Sequence, residues 1–311
     1  MFDATSCFQR DARLTRRDFV AAGLTAFSAA GMPRGLFAKE QSLEALRGEV
    51  GVTTSSFSGH LVARPKPGQF TLLELPRILR DELDMRVIDL NTSSLGRFDK
   101  PWLDQVKTAV ESAGCVLTNL KMNQRGFDMN SPDVAVRERA LAEYRRSIDA
   151  AAHLGIPWVR PLPLKDRPDM ETHVASYRAL ADYGGERGVG LLVENYGWME
   201  SDPQSVSKLI SAIDRDVKAT PDTGNWANDD VRFAGLEDAF PHAVSCDFKA
   251  RTIGPDGAHA AYDLKKCFDV GWQTGFRGPW CLEHAHRDRK HLFRDLALLR
   301  DRLREWMQAA G

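Results

Sequence analysis

The sequence predicts an α/β protein built as a single-domain (β/α)8 TIM barrel, and three observations carry that expectation. Short apolar runs alternate with longer helix-period runs eight times from about residue 50 onward, which is how βα units build a parallel sheet. The chain has 311 residues, and the part after residue 38 matches the roughly 250 residues typical of such a barrel. An open doubly wound sheet is the alternative architecture. No GxGxxG follows the first apolar run, which disfavours it.

Taken in order, the strands are expected at residues 50–55, 86–91, 116–122, 158–162, 190–195, 217–222, 243–249 and 279–284. The intervening helices fall near residues 72–83, 101–113, 132–154, 171–187, 203–213, 236–239, 264–270 and 292–307. The third helix is the clearest. Ser131 is its expected N-cap, with Pro132 in the first turn. Val134, Leu141, Tyr144, Ile148 and Ala151 form one apolar stripe, and Gly155 stops the helix.

Composition narrows the function classes. Lys plus Arg total 42 against 43 Asp plus Glu, a net charge of -1 with no like-charge block, so duplex nucleic acid is not an expected partner. A hydrophobic fraction of 43% without long polar tracts excludes disorder and a multi-spanning membrane bundle. Five cysteines without a CxxC pair read as apolar fillers, neither a disulfide frame nor a zinc cluster.

Residues 1–38 read as an export signal with a short linker, ahead of a barrel at residues 45–309. Arg16-Arg17, with Phe19 two positions later, precedes a small-residue apolar run from Ala21 to Ala30. That run is shorter than the roughly 20 residues a spanning helix needs, so no stable membrane anchor is expected. The layout resembles a twin-arginine (Tat) signal. It implies the Tat export machinery as a partner and a periplasmic or otherwise exported protein.

In such a barrel the chemistry sits where strands end. Glu194 closes the fifth strand, and period-2 alternation puts it on the face of Leu192, toward the barrel mouth. Asp222 and Glu283 close the sixth and eighth at the same level. Three carboxylates converging on an apolar cavity repel one another unless a cation compensates. One divalent ion is the simplest compensation, and oxygen ligands suit Mn, Mg, Co or Zn. Asp89 and Lys121 also fall toward the mouth by alternation alone.

Glu194-Asn195, Pro221-Asp222-Thr223-Gly224-Asn225 and the closing run Gly275 to Glu283 resemble the xylose isomerase-like barrels of the sugar phosphate isomerase/epimerase family, over essentially the whole of the barrel. The resemblance implies one divalent metal held by the glutamate of strand five, the aspartate of strand six, a histidine of strand seven and the glutamate of strand eight. It also implies that the two glutamates exchange protons with the substrate. These roles fall on Glu194, Asp222 and Glu283. Strand seven departs from the pattern, with Asp247 where the histidine is expected and Lys249 two positions on. Either Asp247 is the fourth ligand, giving an all-carboxylate site, or it pairs with Lys249 and the metal site is weak or absent.

The reaction implied is metal-assisted proton abstraction beside a carbonyl through an enediolate, hence isomerisation or epimerisation of a free or keto sugar or sugar derivative. Lys249 is a candidate oxyanion stabiliser. Trp198 and Trp226 either wall a sugar ring or pack beneath loops, and Asn225 and His286 complete the candidates for substrate contact. His284 is expected to face outward. Loss of a β-leaving group from the same enediolate would make a lyase or dehydratase on a keto-sugar or glycoside. A sugar-binding barrel without turnover is a further class. A multi-zinc nuclease is disfavoured by eight scattered histidines and the near-neutral charge. Barrels of this family often pair, so a homodimer is the oligomer to look for.

Overall fold

In a computed structural model that describes residues 44–124, 126–162 and 165–311, the eight predicted alternations form one sheet. Its strands are β1 (Val50–Thr53), β2 (Val87–Asn91), β3 (Val116–Met122), β4 (Trp158–Pro161), β5 (Gly190–Val193), β6 (Val217–Ala219), β7 (Cys246–Lys249) and β8 (Trp280–Glu283). They pair in parallel in the order β6-β5-β4-β3-β2-β1-β8-β7. Two parallel bridges, Ala219↔Ala243 and Asp222↔Asp247, join the two ends into a single-domain (β/α)8 barrel. The export-signal reading of residues 1–38 lies outside the described residues.

The helices longer than one turn are α1 (Leu75–Leu83), α2 (Lys100–Ser112), α3 (Val134–Leu154), α4 (Met170–Gly185), α5 (Ser205–Ile213), α6 (Asp229–Ala239), α7 (Leu264–Gln273) and α8 (Arg289–Ala310). Each buries an apolar stripe against the outside of the barrel, because one face of a helix must leave water to hold it there. Six begin on an aspartate or asparagine whose side chain accepts from the first-turn N–H groups: Asp99, Asp133, Asp169, Asn228, Asp263 and Asp288. Among the described residues no helix is long and apolar enough to cross a membrane. Cys115, Cys246, Cys267 and Cys281 are buried free thiols.

Three local expectations are corrected. The cap of α3 is Asp133, whose Oδ1 accepts from Ala135 and Val136 N–H, while Ser131 sits before it and accepts from Asp133 N–H. Val134 is 59% exposed, so the apolar stripe starts further along, at Ala140 and Leu141. Helix α6 starts at Asp229, well before the expected residue 236, because Asn228 caps it and Asp229 and Asp230 favour its positive N-terminal end.

Behind β7 and β8, Trp280 lies 5.2 Å from Phe268, 5.1 Å from Phe276, 5.6 Å from Phe240 and 5.7 Å from Phe248, ring centre to ring centre. Each such pair adds roughly 0.5–1.5 kcal/mol beyond area burial. The cluster fixes the two strands whose far ends carry Asp247, Lys249 and Glu283.

Candidate active site

Cationic and acidic side chains meet inside the C-terminal mouth of the barrel, each delivered by a different strand. From β2 comes Asp89, from β3 Lys121, from β4 Arg160 and from β7 Asp247 and Lys249. Glu194 directly follows β5, Asp222 lies just beyond β6 and Glu283 ends β8. All but Lys249 and Glu283 are buried. A cavity of about 690 Å³ opens here, lined by Lys121, Arg160, Glu194, Asn225, Lys249 and Glu283, among others, with Asp89, Asp222 and Asp247 behind its lining.

Local backbone chemistry fixes Asp222. Asn195 accepts the Asp222 N–H at 2.8 Å and donates to the carbonyls of Asp222 and Asn225 at 2.9 and 3.0 Å. Asp222 Oδ1 accepts from Gly224 and Asn225 N–H at 2.6 and 3.1 Å. Its Oδ2 accepts from Asn225 Nδ2 at 2.8 Å and from Lys249 Nζ at 2.9 Å. Asn225 Nδ2 also reaches Glu194 Oε1 at 3.2 Å. Across the cavity, Asn91 Oδ1 accepts from the Thr53 and Thr54 hydroxyls and Ser55 N–H, building a hydroxyl-rich wall.

Lys249 spans two acids. Its Nζ lies 3.0 Å from Glu283 Oε1, 2.9 Å from Asp222 and 3.1 Å from Asn225 Oδ1. Gly224 makes that position accessible, since a Cβ there would stand 2.5 Å from Lys249 Cδ and 2.8 Å from the Tyr262 hydroxyl. Lys121, 1% exposed, donates to Asp247 Oδ1 and lies 3.8 Å from Asp89 Oδ2. Asp247 is therefore paired with Lys121, and the Asp247–Lys249 pair, one of the two alternatives for strand seven, does not form. Facing neighbours on the two strands put Lys249 against β6 and β8 instead. Arg160 Nε lies 2.7 Å from Glu194 Oε2 as a close charge contact without the direction of a hydrogen bond, and its guanidinium donates to Asn123.

The two glutamates experience opposite fields. Burial, reinforced by Asp247 and Asp222, outweighs Arg160 and pushes Glu194 up to about 8. Burial also acts on Glu283, but Lys249, Lys121 and Arg160 together hold it below the usual carboxyl range. Asp222 and Asp89 are each raised to about 6, mainly by burial against the pull of their lysines. Both lysines are held above their ordinary range, because their carboxylates outweigh the desolvation that disfavours charge.

Other predicted residues sit elsewhere. Trp226 is buried under α6, where Gly235 leaves room for its ring, and Trp198 packs edge-on to His173; neither lines the cavity. His284 does turn away from the mouth, with its ring nitrogens on Ala250 O and Asp295 of α8. His286 is exposed and outside the cavity lining, next to His291 and the α8 cap Asp288. Arg160 escaped sequence reasoning. Its signal was a charged residue inside an otherwise apolar strand, the same signal that Lys121 gives.

Oxygens of Glu194, Asp222 and Asp247 lie within 4.8 Å of one another, close enough to share an ion. Glu194 Oε2 and Asp247 Oδ2 have no hydrogen-bond donor, but the rest of the donor set is already engaged by N–H groups and ammoniums, which compete with a divalent metal. Both oxygens of Asp222 are filled by N–H donors, one oxygen of Asp247 holds Lys121, and one of Glu283 holds Lys249. A doubly charged ion sharing these carboxylates on the order of 4 Å from an ammonium would be repelled by about 8 kcal/mol at an effective dielectric of about 20.

Several solved structures share the architecture. A xylose isomerase-like TIM barrel protein from Mycobacterium smegmatis in complex with magnesium is 17% identical with a TM-score of 0.62, covering 86% of this chain and 98% of its own. D-psicose 3-epimerase with D-tagatose from Clostridium cellulolyticum H10 is 14% identical with a TM-score of 0.61, covering 84% and 98%. A probable 3-DHS dehydratase involved in petrobactin synthesis from Bacillus anthracis is 11% identical with a TM-score of 0.62, covering 81% and 98%. At these identities the likeness is one of fold. No curated relative matches the chain. The sequence pattern of the xylose isomerase-like TIM barrels matches residues 82–309, and the chain belongs to that family.

Proposed function

We propose that the protein is an isomerase or epimerase of a free or keto sugar, or a sugar derivative, that moves a proton beside a carbonyl through an enediolate. The observation that carries this reading is the pair of glutamates, Glu194 and Glu283, bordering one cavity with their proton affinities driven apart. Paired groups separated in this way divide into an acid and a base. Glu283, held ionised, takes the proton from carbon. Glu194, which keeps its proton to about pH 8, delivers one to the developing oxygen or to carbon on the other face.

Lys249 links the two events. As Glu283 accepts a proton it loses the charge that holds Lys249, just when negative charge appears on the substrate oxygen. The ammonium can pass a donor from one to the other, stabilising the enediolate. Epimerases and a probable dehydratase among the structural neighbours support this range of chemistry. Loss of a β-leaving group is the second reading, favoured by the protonated Glu194 as a ready acid. Metal chemistry at Glu194, Asp222, Asp247 and Glu283 is the family's alternative, and the lysines oppose it.

Solvent-deuterium exchange into a panel of keto sugars, followed by NMR, tests the proposal. Exchange with product formation is expected, with Glu283→Gln slowing both by roughly 10²–10⁴-fold. Tight sugar binding with no exchange would replace the enzyme by a binding barrel. Export belongs to the same proposal, resting on Arg16-Arg17 and the small-residue run after them. Cell fractionation should find the chain outside the cytoplasm, and Arg16→Lys with Arg17→Lys should retain it.

A further inference from the structure

We infer that the ammonium groups of Lys249 and Lys121 occupy the places at which these carboxylates would hold a divalent ion, so that the site works without a bound metal and receives an oxyanion in its stead. What the oxyanion becomes rests on the reaction proposed above. The replacement itself is a matter of side-chain geometry.

Lys249 Nζ has three acceptors for its three N–H donors, on Asp222, Asn225 and Glu283, at 2.9, 3.1 and 3.0 Å. Its position is built into the chain. Gly224 leaves the space through which the lysine stem passes, 2.5 Å from where a Cβ would lie, and Tyr262 donates its hydroxyl to the Lys249 carbonyl. Lys121 reaches the same centre from the other side of the barrel, fully buried and joined to Asp247. Asp222 gives its oxygens to four N–H donors, so its acceptor positions are filled without an ion. The two lysines thus neutralise acids on β2, β6, β7 and β8 together, which is the task a central cation performs. Unlike an ion they cannot be removed by a chelator, and a lysine donor can turn from a carboxylate to a substrate oxygen.

The test is a Mn²⁺ titration of the full chain by calorimetry and electron paramagnetic resonance, with thermal midpoints in Mn²⁺ and in EDTA. Wild-type protein should take up no stoichiometric Mn²⁺, and EDTA should leave its midpoint unmoved. Lys249→Met should free one acceptor position on Asp222 and one on Glu283, bind about one equivalent, and gain roughly 5 °C at saturating Mn²⁺. Uptake of one equivalent by wild type, lost in Asp222→Asn, would overturn the inference. So would a folded Lys249→Met that takes up none. Should Lys249→Met fail to fold, the wild-type titration decides alone. None of these readouts involves turnover. A protein inert toward every sugar that still excludes Mn²⁺ would refute the proposed reaction and leave this inference standing.

Discussion

Arg160 Nε stands 2.7 Å from Glu194 Oε2 with both side chains buried, yet Glu194 keeps its proton up to about pH 8. A single guanidinium does not offset burial together with the nearby Asp247 and Asp222. If Glu194 acts as the acid, kcat should fall on the alkaline side with a midpoint near 8. Arg160→Met removes the charge that lowers this value, so the limb should move to higher pH. A pH–rate profile of the two proteins checks the direction.

The same raised value has a stability consequence. A carboxyl that titrates higher folded than unfolded contributes stability that is complete below its ordinary 4.5 and is lost as pH rises through about 8. Glu194→Gln should flatten the decline in urea-unfolding free energy between those values, while abolishing turnover.

His173 works in the opposite direction. It is fully buried beside Tyr177 and Trp198, its Nδ1–H donates to Asn130 Oδ1, and burial lowers it to about 4. Its contribution is complete above its ordinary 6.5 and is lost as pH falls through 4, about 3 kcal/mol in all. Urea denaturation across that range should show the loss, and His173→Gln should remove most of it.

Removing Lys121 leaves Asp247 and Asp89 facing each other without a cation. Lys121→Met should cost about 3–5 kcal/mol, the usual penalty for orphaning a buried charge. Adding Asp247→Asn should recover a large part of it. Chemical denaturation of the single and double variants measures the coupling.

Gly224→Ala should act on chemistry more than on stability. The added methyl must displace the Lys249 stem or Tyr262, while the backbone there is open to alanine. We expect turnover to drop by roughly 10²-fold, as for a misplaced oxyanion donor, with a small shift of the thermal midpoint. Steady-state kinetics beside a melting curve separates the two.

The barrel was legible because its signals are local: apolar runs, caps, and the acids Glu194, Asp222 and Glu283 at strand ends. The pairing of charges was not, since it depends on which strands face one another across the interior. Asp247 and Lys249 are near neighbours in sequence, but Asp247 answers to Lys121 from β3 and Lys249 to Asp222 and Glu283. Trp226 shows the same limit. Its closeness to Asp222 left a sugar wall and packing beneath a loop both open, and only the gap over Gly235 on a later helix shows where the ring goes.

The seam between β6 and β7 adds an order of events. Asp222 and Asp247 bridge there, and the partner of Asp247 lies 126 positions earlier in the chain. A chain synthesised only as far as Asp222 holds Asp89, Lys121, Arg160, Glu194 and Asp222, with neither Asp247 nor Lys249 to complete them. The charge pattern of the cavity is therefore complete only once the last two strands are in place. Before that, Asp89 has Lys121 and Glu194 has Arg160, while Asp222 still lacks the Lys249 ammonium.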